Sequence, residues 1–192
     1  MFCGNGGSAA DAQHLATEYV VRFRRNRRSL PAIALTTDTS LLTAAANDLG
    51  FERVFARQVE ALGRAGDILF LHSTSGESPN VLMAARAARE AGVTTVGMLA
   101  RDGGPLRQLV DHAVIVPTDS GAHAQELHLA LGHAICTTVE AHFAAAAQSP
   151  GVLEPRTIAR LHEARLAEKR QALFYRALAA AAEDAEDESL SE

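Results

Sequence analysis

The stretch ILFLHSTSGESPNVLMAARAAREAGVTTVGM, residues 68–98, holds most of a fold in one sentence of sequence. Ile68 to Leu71 (ILFL) is a continuous apolar run, as strands buried on both faces of a parallel sheet tend to be. A loop of hydroxyl residues follows, Pro79 opens a helix that runs to Ala91, and Thr94 to Met98 (TTVGM) supplies a second β-rich run. Strand, helix and strand in that order are a βαβ unit. Outward from it the alternation continues. Ala32 to Leu35 (AIAL) and Ala113 to Val116 (AVIV) read as further buried strands, and Ala9 to Phe23, Ser40 to Asn47, Glu52 to Leu62 and Pro105 to Leu109 as helices. This pattern predicts an α/β fold, a doubly wound, mainly parallel sheet flanked by helices. Sheets of that kind bind ligands beyond the carboxyl ends of their strands.

Two segments fit that position. In HSTSGESPN, Ser73, Thr74, Ser75 and Ser78 crowd the end of the ILFL strand just before a helix N-terminus. Four hydroxyls and free helix N–H groups can surround the oxygens of a phosphate monoester, whereas an ordinary N-cap needs one or two. The second segment is CGNGGSAADAQHLATE, residues 3–18, a glycine-rich turn that runs into a helix beginning at Ser8 or Ala9. Glycine allows close approach of backbone to ligand, and first-turn N–H groups favour an anion or a sugar oxygen. Neither a Walker loop nor a G-x-G-x-x-G fingerprint is present, so a nucleotide is not the guest these motifs indicate.

Composition narrows the class. The chain has 192 residues, 47% apolar and 21% charged, an ordinary globular balance. No apolar run is long enough to cross a bilayer, and no secretory signal follows Met1, so a cytoplasmic protein without membrane contact is expected. The formal charge of −5 comes from an acidic end holding Glu183, Asp184, Glu186, Asp187, Glu188 and Glu192. Nothing in that balance favours nucleic acid. Arg22, Arg24, Arg25, Arg27 and Arg28 form one basic cluster, read as a solvated face or subunit contact in preference to an anion site. Two cysteines, Cys3 and Cys136, far apart, suit a reducing compartment.

The longer helix predicted over 122–147 carries AQELHLALGHAIC, with Gln125, Glu126, His128 and His133. Polar groups in so apolar a helix need partners or a site. His14 and Glu18 are four apart, hence on one face of the first helix. Imidazole and carboxylate so placed can hold a divalent metal together or move a proton, and the same spacing serves a surface pair. Gln125 and His133 are two turns apart, about 12 Å in rise, and spacing alone admits Glu126 with His133 equally.

Taken together, CGNGGSAADAQHLATE, AIALTTDTSLLTAAANDLGFERVFARQVEALGRAGDILF, STSGESPN and AQELHLALGH resemble the phosphoheptose isomerases of the sugar isomerase (SIS) superfamily, from about Met1 to Phe143. The resemblance implies a flavodoxin-like SIS domain over 1–147. It implies an aldose–ketose isomerase that converts sedoheptulose 7-phosphate to D-glycero-D-manno-heptose 7-phosphate through an enediol(ate), the first step of nucleotide-activated heptose biosynthesis for lipopolysaccharide. Carried over residue by residue, one Zn2+ per subunit would be held by His14, Glu18, Gln125 and His133. The substrate would be held by Asn5, Gly6, Gly7, Glu18, Asn47, Asp48, Ser73, Thr74, Ser75, Ser78 and Gln125. Glu18 and His133 would be the catalytic base and acid, and the protein a homotetramer with sites near subunit interfaces. The rival within the superfamily is a non-catalytic protein, either a replication-initiation factor binding the initiator DnaA or a sugar-phosphate sensor. The presence of both Glu18 and His133 favours the enzyme.

Two departures from the family pattern stand out. Helices used in tetramer packing and most of a first strand are absent ahead of the glycine turn, with only Met1 and Phe2 remaining of that strand. The chain therefore reads as a fragment, a misplaced start, or a variant that repacks. A helical segment over 148–182, with its helix at 157–182, has no counterpart in the resemblance and would supply such packing. An acidic disordered tail is expected over 183–192.

Overall fold

In a computed structural model, residues 1–146 are described. The predicted helical segment over 148–182 and the acidic tail at 183–192 lie outside them. The elements run β1 (Phe2–Gly4), α1 (Gly7–Val20), α2 (Thr39–Leu49), a 3-10 turn (Phe51–Arg53), α3 (Ala56–Leu62), β2 (Ile68–Ser73), α4 (Pro79–Glu90), β3 (Thr94–Ala100), a second 3-10 turn (Pro105–Gln108), β4 (His112–Val116) and α5 (Gly121–Ala146). The sheet is four-stranded in the order β1-β2-β3-β4, and every pairing is parallel. No helix among the described residues is long and apolar enough to cross a membrane.

Two expectations about the sheet need correction. The AIAL segment forms no strand of its own. It meets β1 through a single parallel bridge, Phe2 to Ala34, made by Phe2 N–H to Ile33 O and Leu35 N–H to Phe2 O, both 2.9 Å. Leu30 and Pro31 ahead of it and the Thr36-Thr37-Asp38 turn behind it leave only about one residue for pairing, because Asp38 already caps α2 by accepting from Leu41 N–H. The first strand, expected to keep only Met1 and Phe2, runs instead over Phe2–Gly4, three residues that reach into the glycine-rich stretch. Phe2, Cys3 and Gly4 are buried and stand opposite Phe70, Leu71 and His72. Counting the bridge, spatial order is the flavodoxin-like 2-1-3-4-5, with the switch point between β1 and β2.

Strand alternation sends side chains to two layers. Leu69, Leu71 and Leu99 face one layer with Val54, Val59, Val81 and Ala84 of the α2 to α4 region. Phe2 and Phe70 face the other and stack with ring centroids 5.0 Å apart, against Ala12, Leu15 and Ala16 of α1 and Cys136 of α5. Both cysteines are free and buried, and burial pushes the Cys3 thiol up to about 12.

The basic cluster divides. Arg22, Arg24, Arg25 and Arg28 are exposed, but Arg27 turns inward and its guanidinium donates to the carbonyls of Glu18 (2.7 Å) and Tyr19 (2.9 Å) in the last turn of α1. A cation there meets the negative end of the helix dipole. Arg27 Nε lies 3.3 Å from Glu140 Oε1 of α5, both side chains nearly inaccessible. Glu140 also accepts the backbone N–H groups of Phe23, Arg24 and Arg25 at 3.0, 2.8 and 2.9 Å. The solvated-face reading thus fails for Arg27, because a chain turning sharply after α1 exposes carbonyls and N–H groups that only a buried ion pair can serve together.

Burial by itself would raise the Glu140 pKa, yet the three N–H donors and Arg27 hold it below the ordinary carboxylate value. The stabilisation it gives is therefore complete above that ordinary value and lost as pH falls through the depressed one. Glu140→Ala should lower unfolding free energy by about 3–5 kcal/mol, because Arg27 is left buried and unpaired. Urea unfolding of both proteins as a function of pH checks this: the gap should close in acid, and a gap independent of pH would remove Glu140 as the clamp.

Candidate functional site

The switch point sets Gly4 opposite His72, so the turn after β1 and the loop after β2 leave the sheet side by side. They are bolted together by a reciprocal amide pair, Asn5 Nδ2 to Asn80 Oδ1 and Asn80 Nδ2 to Asn5 Oδ1, each 2.8 Å. Asn80 is buried in the first turn of α4. In the sequence it is only the last letter of the hydroxyl loop, and nothing local distinguishes it from any early helix asparagine.

In the first cradle Gly6 has φ 56° and α1 begins at Gly7 without a side-chain cap. Ser8 and Ala9 N–H bond back to Asn5 O and Gly6 O, while Gly6 and Gly7 are exposed and their N–H groups have no acceptor among the described residues. In the second cradle the four hydroxyls differ. Ser73 Oγ accepts from Gly76 N–H (3.0 Å) and Ser75 Oγ from Glu77 N–H (3.2 Å), shaping the loop, whereas Thr74 and Ser78 side chains have no partner among the described residues. Gly76 has φ 66°, and a Cβ there would run into Gly103 O, so this loop lies backbone against backbone on the turn after β3. Only glycine permits that approach.

The third part lies between α1 and α5, which pack side by side in the same direction. Gly132 sits where a Cβ would meet the Leu15 side chain at 2.6 Å. Its missing side chain lets the helices close. Immediately beside that contact, His14 Nε2 and His133 Nε2 stand 2.9 Å apart, and His14 Nε2 lies 3.3 Å from Glu18 Oε1. One ligand atom from each of His14, Glu18 and His133 lies within 4.8 Å of the other two. Phe23 stacks on His133 at 5.1 Å between centroids. Burial, then the nearby His14, holds the His133 pKa below that of a free imidazole. Two imidazole nitrogens and a carboxylate oxygen converging at this range fit a divalent ion of the zinc class.

Other residues fall elsewhere. Gln125 places its carboxamide against Gly7 at the start of α1, two helical turns before His14, and Glu126 is exposed. Between the two alternatives that spacing left open, it is therefore Gln125 that faces α1. Asn47 and Asp48 are exposed in the last turn of α2 and bond to one another (2.7 Å), to neither cradle among the described residues. His128 is fully buried, with Nε2 2.8 Å from Leu99 O.

Comparison with known proteins identifies the family. Residues 1–100 match the family model described as the SIS domain. The chain is 55% identical over 143 residues to the phosphoheptose isomerase of a Nitratiruptor species, covering 74% of this chain and 76% of that protein. It is 59% identical over 140 residues to the phosphoheptose isomerase of a Roseiflexus species, covering 73% and 71%. Among solved structures, the phosphoheptose isomerase of Neisseria gonorrhoeae superposes with TM-score 0.69 at 48% identity, covering 73% of this chain and 74% of that one.

The amide pair is open to direct test. Asn80→Ala removes two neutral hydrogen bonds of about 1 kcal/mol each and frees the glycine turn. Binding of inorganic phosphate, measured by calorimetry, should weaken roughly tenfold. Asn5→Ala should cost the same, and the double variant little more; additive losses would show that the two residues act separately.

Proposed function

This chain belongs to the phosphoheptose isomerase family of SIS-domain proteins, and from that premise we propose that it interconverts sedoheptulose 7-phosphate and D-glycero-D-manno-heptose 7-phosphate. The observation that carries the proposal is the meeting of His14, Glu18 and His133, the first two on the helix opened by the glycine turn, which the Asn5–Asn80 pair joins to the hydroxyl loop. The non-catalytic readings, a DnaA-binding factor or a sugar-phosphate sensor, are not favoured, because neither calls for an acid–base pair at that place.

The residues divide the work by chemistry. Ser73, Thr74, Ser75 and Ser78 receive the phosphate, which neutral hydroxyl donors and the α4 N-terminus can bind without a fixed cation. Asn5, Gly6 and Gly7 hold sugar oxygens through the free N–H groups of their turn. Gln125, resting on Gly7, orients the same end of the chain. Asn47 and Asp48, exposed at the end of α2, are proposed as further substrate contacts on the family resemblance alone.

Moving a carbonyl from C2 to C1 takes a proton from C1, passes through an enediol and returns a proton to C2, while protons are exchanged on the two oxygens. Glu18 is the base for carbon, with its side chain 18% exposed at the meeting of α1 and α5. His133, held neutral by its surroundings, is suited to pass protons at oxygen. Its ring is fixed by Phe23 on one side and His14 on the other. His14, Glu18 and His133 would hold one Zn2+ per subunit, which when bound supplies Lewis-acid stabilisation of developing oxygen charge; Gln125, the fourth donor in this proposal, would have to turn from Gly7 toward His133 to join them.

The proposal extends to a homotetramer with sites near subunit contacts. Val20, Val21 and Ile33 are exposed around a groove that Ala16, Thr17, Ala32 and Ala34 also line, an apolar surface of the kind subunit contacts cover. A cytoplasmic setting is supported by two unpaired cysteines, and a place at the head of nucleotide-activated heptose synthesis by the substrate itself.

Incubation of metal-loaded protein with sedoheptulose 7-phosphate should yield aldose, and a chelated control should not. Glu18→Gln and His133→Gln should each lower kcat by roughly a hundredfold to ten-thousandfold, with the oligomer intact by light scattering. In deuterated water the product should carry label at C2. A well-folded, metal-replete protein without turnover would overturn the assignment.

A further inference from the structure

Beneath the site, three polar side chains from three elements meet in the core. Asp11 comes from the inner face of α1, His72 from the carboxyl end of β2 and His128 from the first third of α5. Both histidines are wholly inaccessible and Asp11 is buried. Asp11 Oδ2, both nitrogens of His72 and Nδ1 of His128 have no hydrogen-bond partner among the described residues. Four such atoms in one place are unusual, because an unpaired buried polar group costs about 1–3 kcal/mol. One ligand atom from each of the three residues lies within 4.8 Å of the other two.

The orientation of His128 is informative. Its Nε2 lies 2.8 Å from Leu99 O, and a carbonyl only accepts, so Nε2 carries the proton and Nδ1 keeps its lone pair. A histidine anchored to a backbone carbonyl through one nitrogen, with the other free, is the arrangement found in metal ligands. Burial, then the neighbouring His128, pushes His72 down to about 3, so this imidazole too is neutral with a lone pair to offer. A direct Asp11 to histidine hydrogen bond would serve two of the four orphaned atoms. A single cation serves three.

We propose that Asp11, His72 and His128 form a second, buried metal site for a divalent ion of the Zn2+ or Co2+ class, separate from the His14, Glu18 and His133 cluster. Two imidazole nitrogens and one carboxylate oxygen suit such ions, with the fourth position open to water. Its role is structural. Asp11 lies one turn before His14, His72 directly precedes Ser73, and His128 lies between Gln125 and His133. An ion here ties together the three elements that carry the proton-transfer residues and the phosphate loop.

The test counts metal. Protein loaded with Co2+ and dialysed should hold two ions per chain by elemental analysis, and His72→Leu, which fills the space with an apolar side chain, should hold one. The double variant His14→Ala/His133→Ala, which removes the upper cluster, should keep one ion with the visible absorption of four-coordinate Co2+. Native protein with a single ion, or His72→Leu with no loss, would overturn the proposal. Should His72→Leu not fold, the double variant decides alone, since a variant binding none leaves no ion for Asp11, His72 and His128. Failure of the isomerase assay with two ions bound would count against the proposed function and leave this site standing.

Discussion

Everything at the active edge depends on β1 and β2 lying parallel with Gly4 opposite His72. That register makes two segments far apart in sequence leave the sheet together, and the Asn5–Asn80 pair then fixes one against the other. A shift by one residue would send every side chain of the short strand to the wrong layer and carry Asn5 away from Asn80. The strand has three residues, so its ladder alone is a weak determinant. Phe2 stacked on Phe70 on one face, and Cys3 packed with Leu69 and Leu71 on the other, give the register its apolar weight.

The second constraint is the parallel contact of α1 and α5. Two long helices share little unless their surfaces interlock, and here a glycine in mid-helix, normally worth about 1 kcal/mol of instability against alanine, admits Leu15 into the face of α5. The loss is repaid in position, because His14 and His133 flank that contact and are drawn together by it. At the far end Glu140 and Arg27 gather the loose backbone after α1, so the helix pair is held on both sides of the His14, Glu18 and His133 cluster.

Much of this was legible in the sequence, for reasons that can be named. Continuous apolarity marked β2, β3 and β4, and the crowding of hydroxyls after ILFL marked the loop proposed to receive phosphate. The His14 to Glu18 spacing is a local property of one helix. What escaped notice depends on contacts between distant elements. Asn80 matters only because Asn5 faces it, Arg27 looked like one of five exposed arginines until α5 supplied Glu140, and Asp11 and His72 have no periodic signature that separates a buried polar group from an exposed one. AIAL carried the composition of a strand, but its neighbours, a proline before it and a helix cap after it, leave room for one bridge.

The polar atoms without partners are not scattered. Among the buried side-chain atoms of the described residues, most of them gather at the carboxyl edge of the sheet and just beneath it: Thr36 Oγ1 just past the AIAL bridge, and below it Asp11, His72 and His128, on the same side as the accessible N–H groups of Gly6 and Gly7 and the hydroxyls of Thr74 and Ser78. Arg27 Nε, the one that lies away from this edge, has the Glu140 carboxylate 3.3 Å away. Elsewhere comparable buried groups are answered, as Gln58 is by Leu35 O and Val54 O, and Thr95 by Asp111. A core that leaves its polar groups open chiefly along one edge has its donors and acceptors already aimed before any ligand arrives. Such an arrangement is costly in the free protein and lowers the reorganisation needed on binding. The unsatisfied atoms, more than any single motif, are what mark this edge as the working face of the fold.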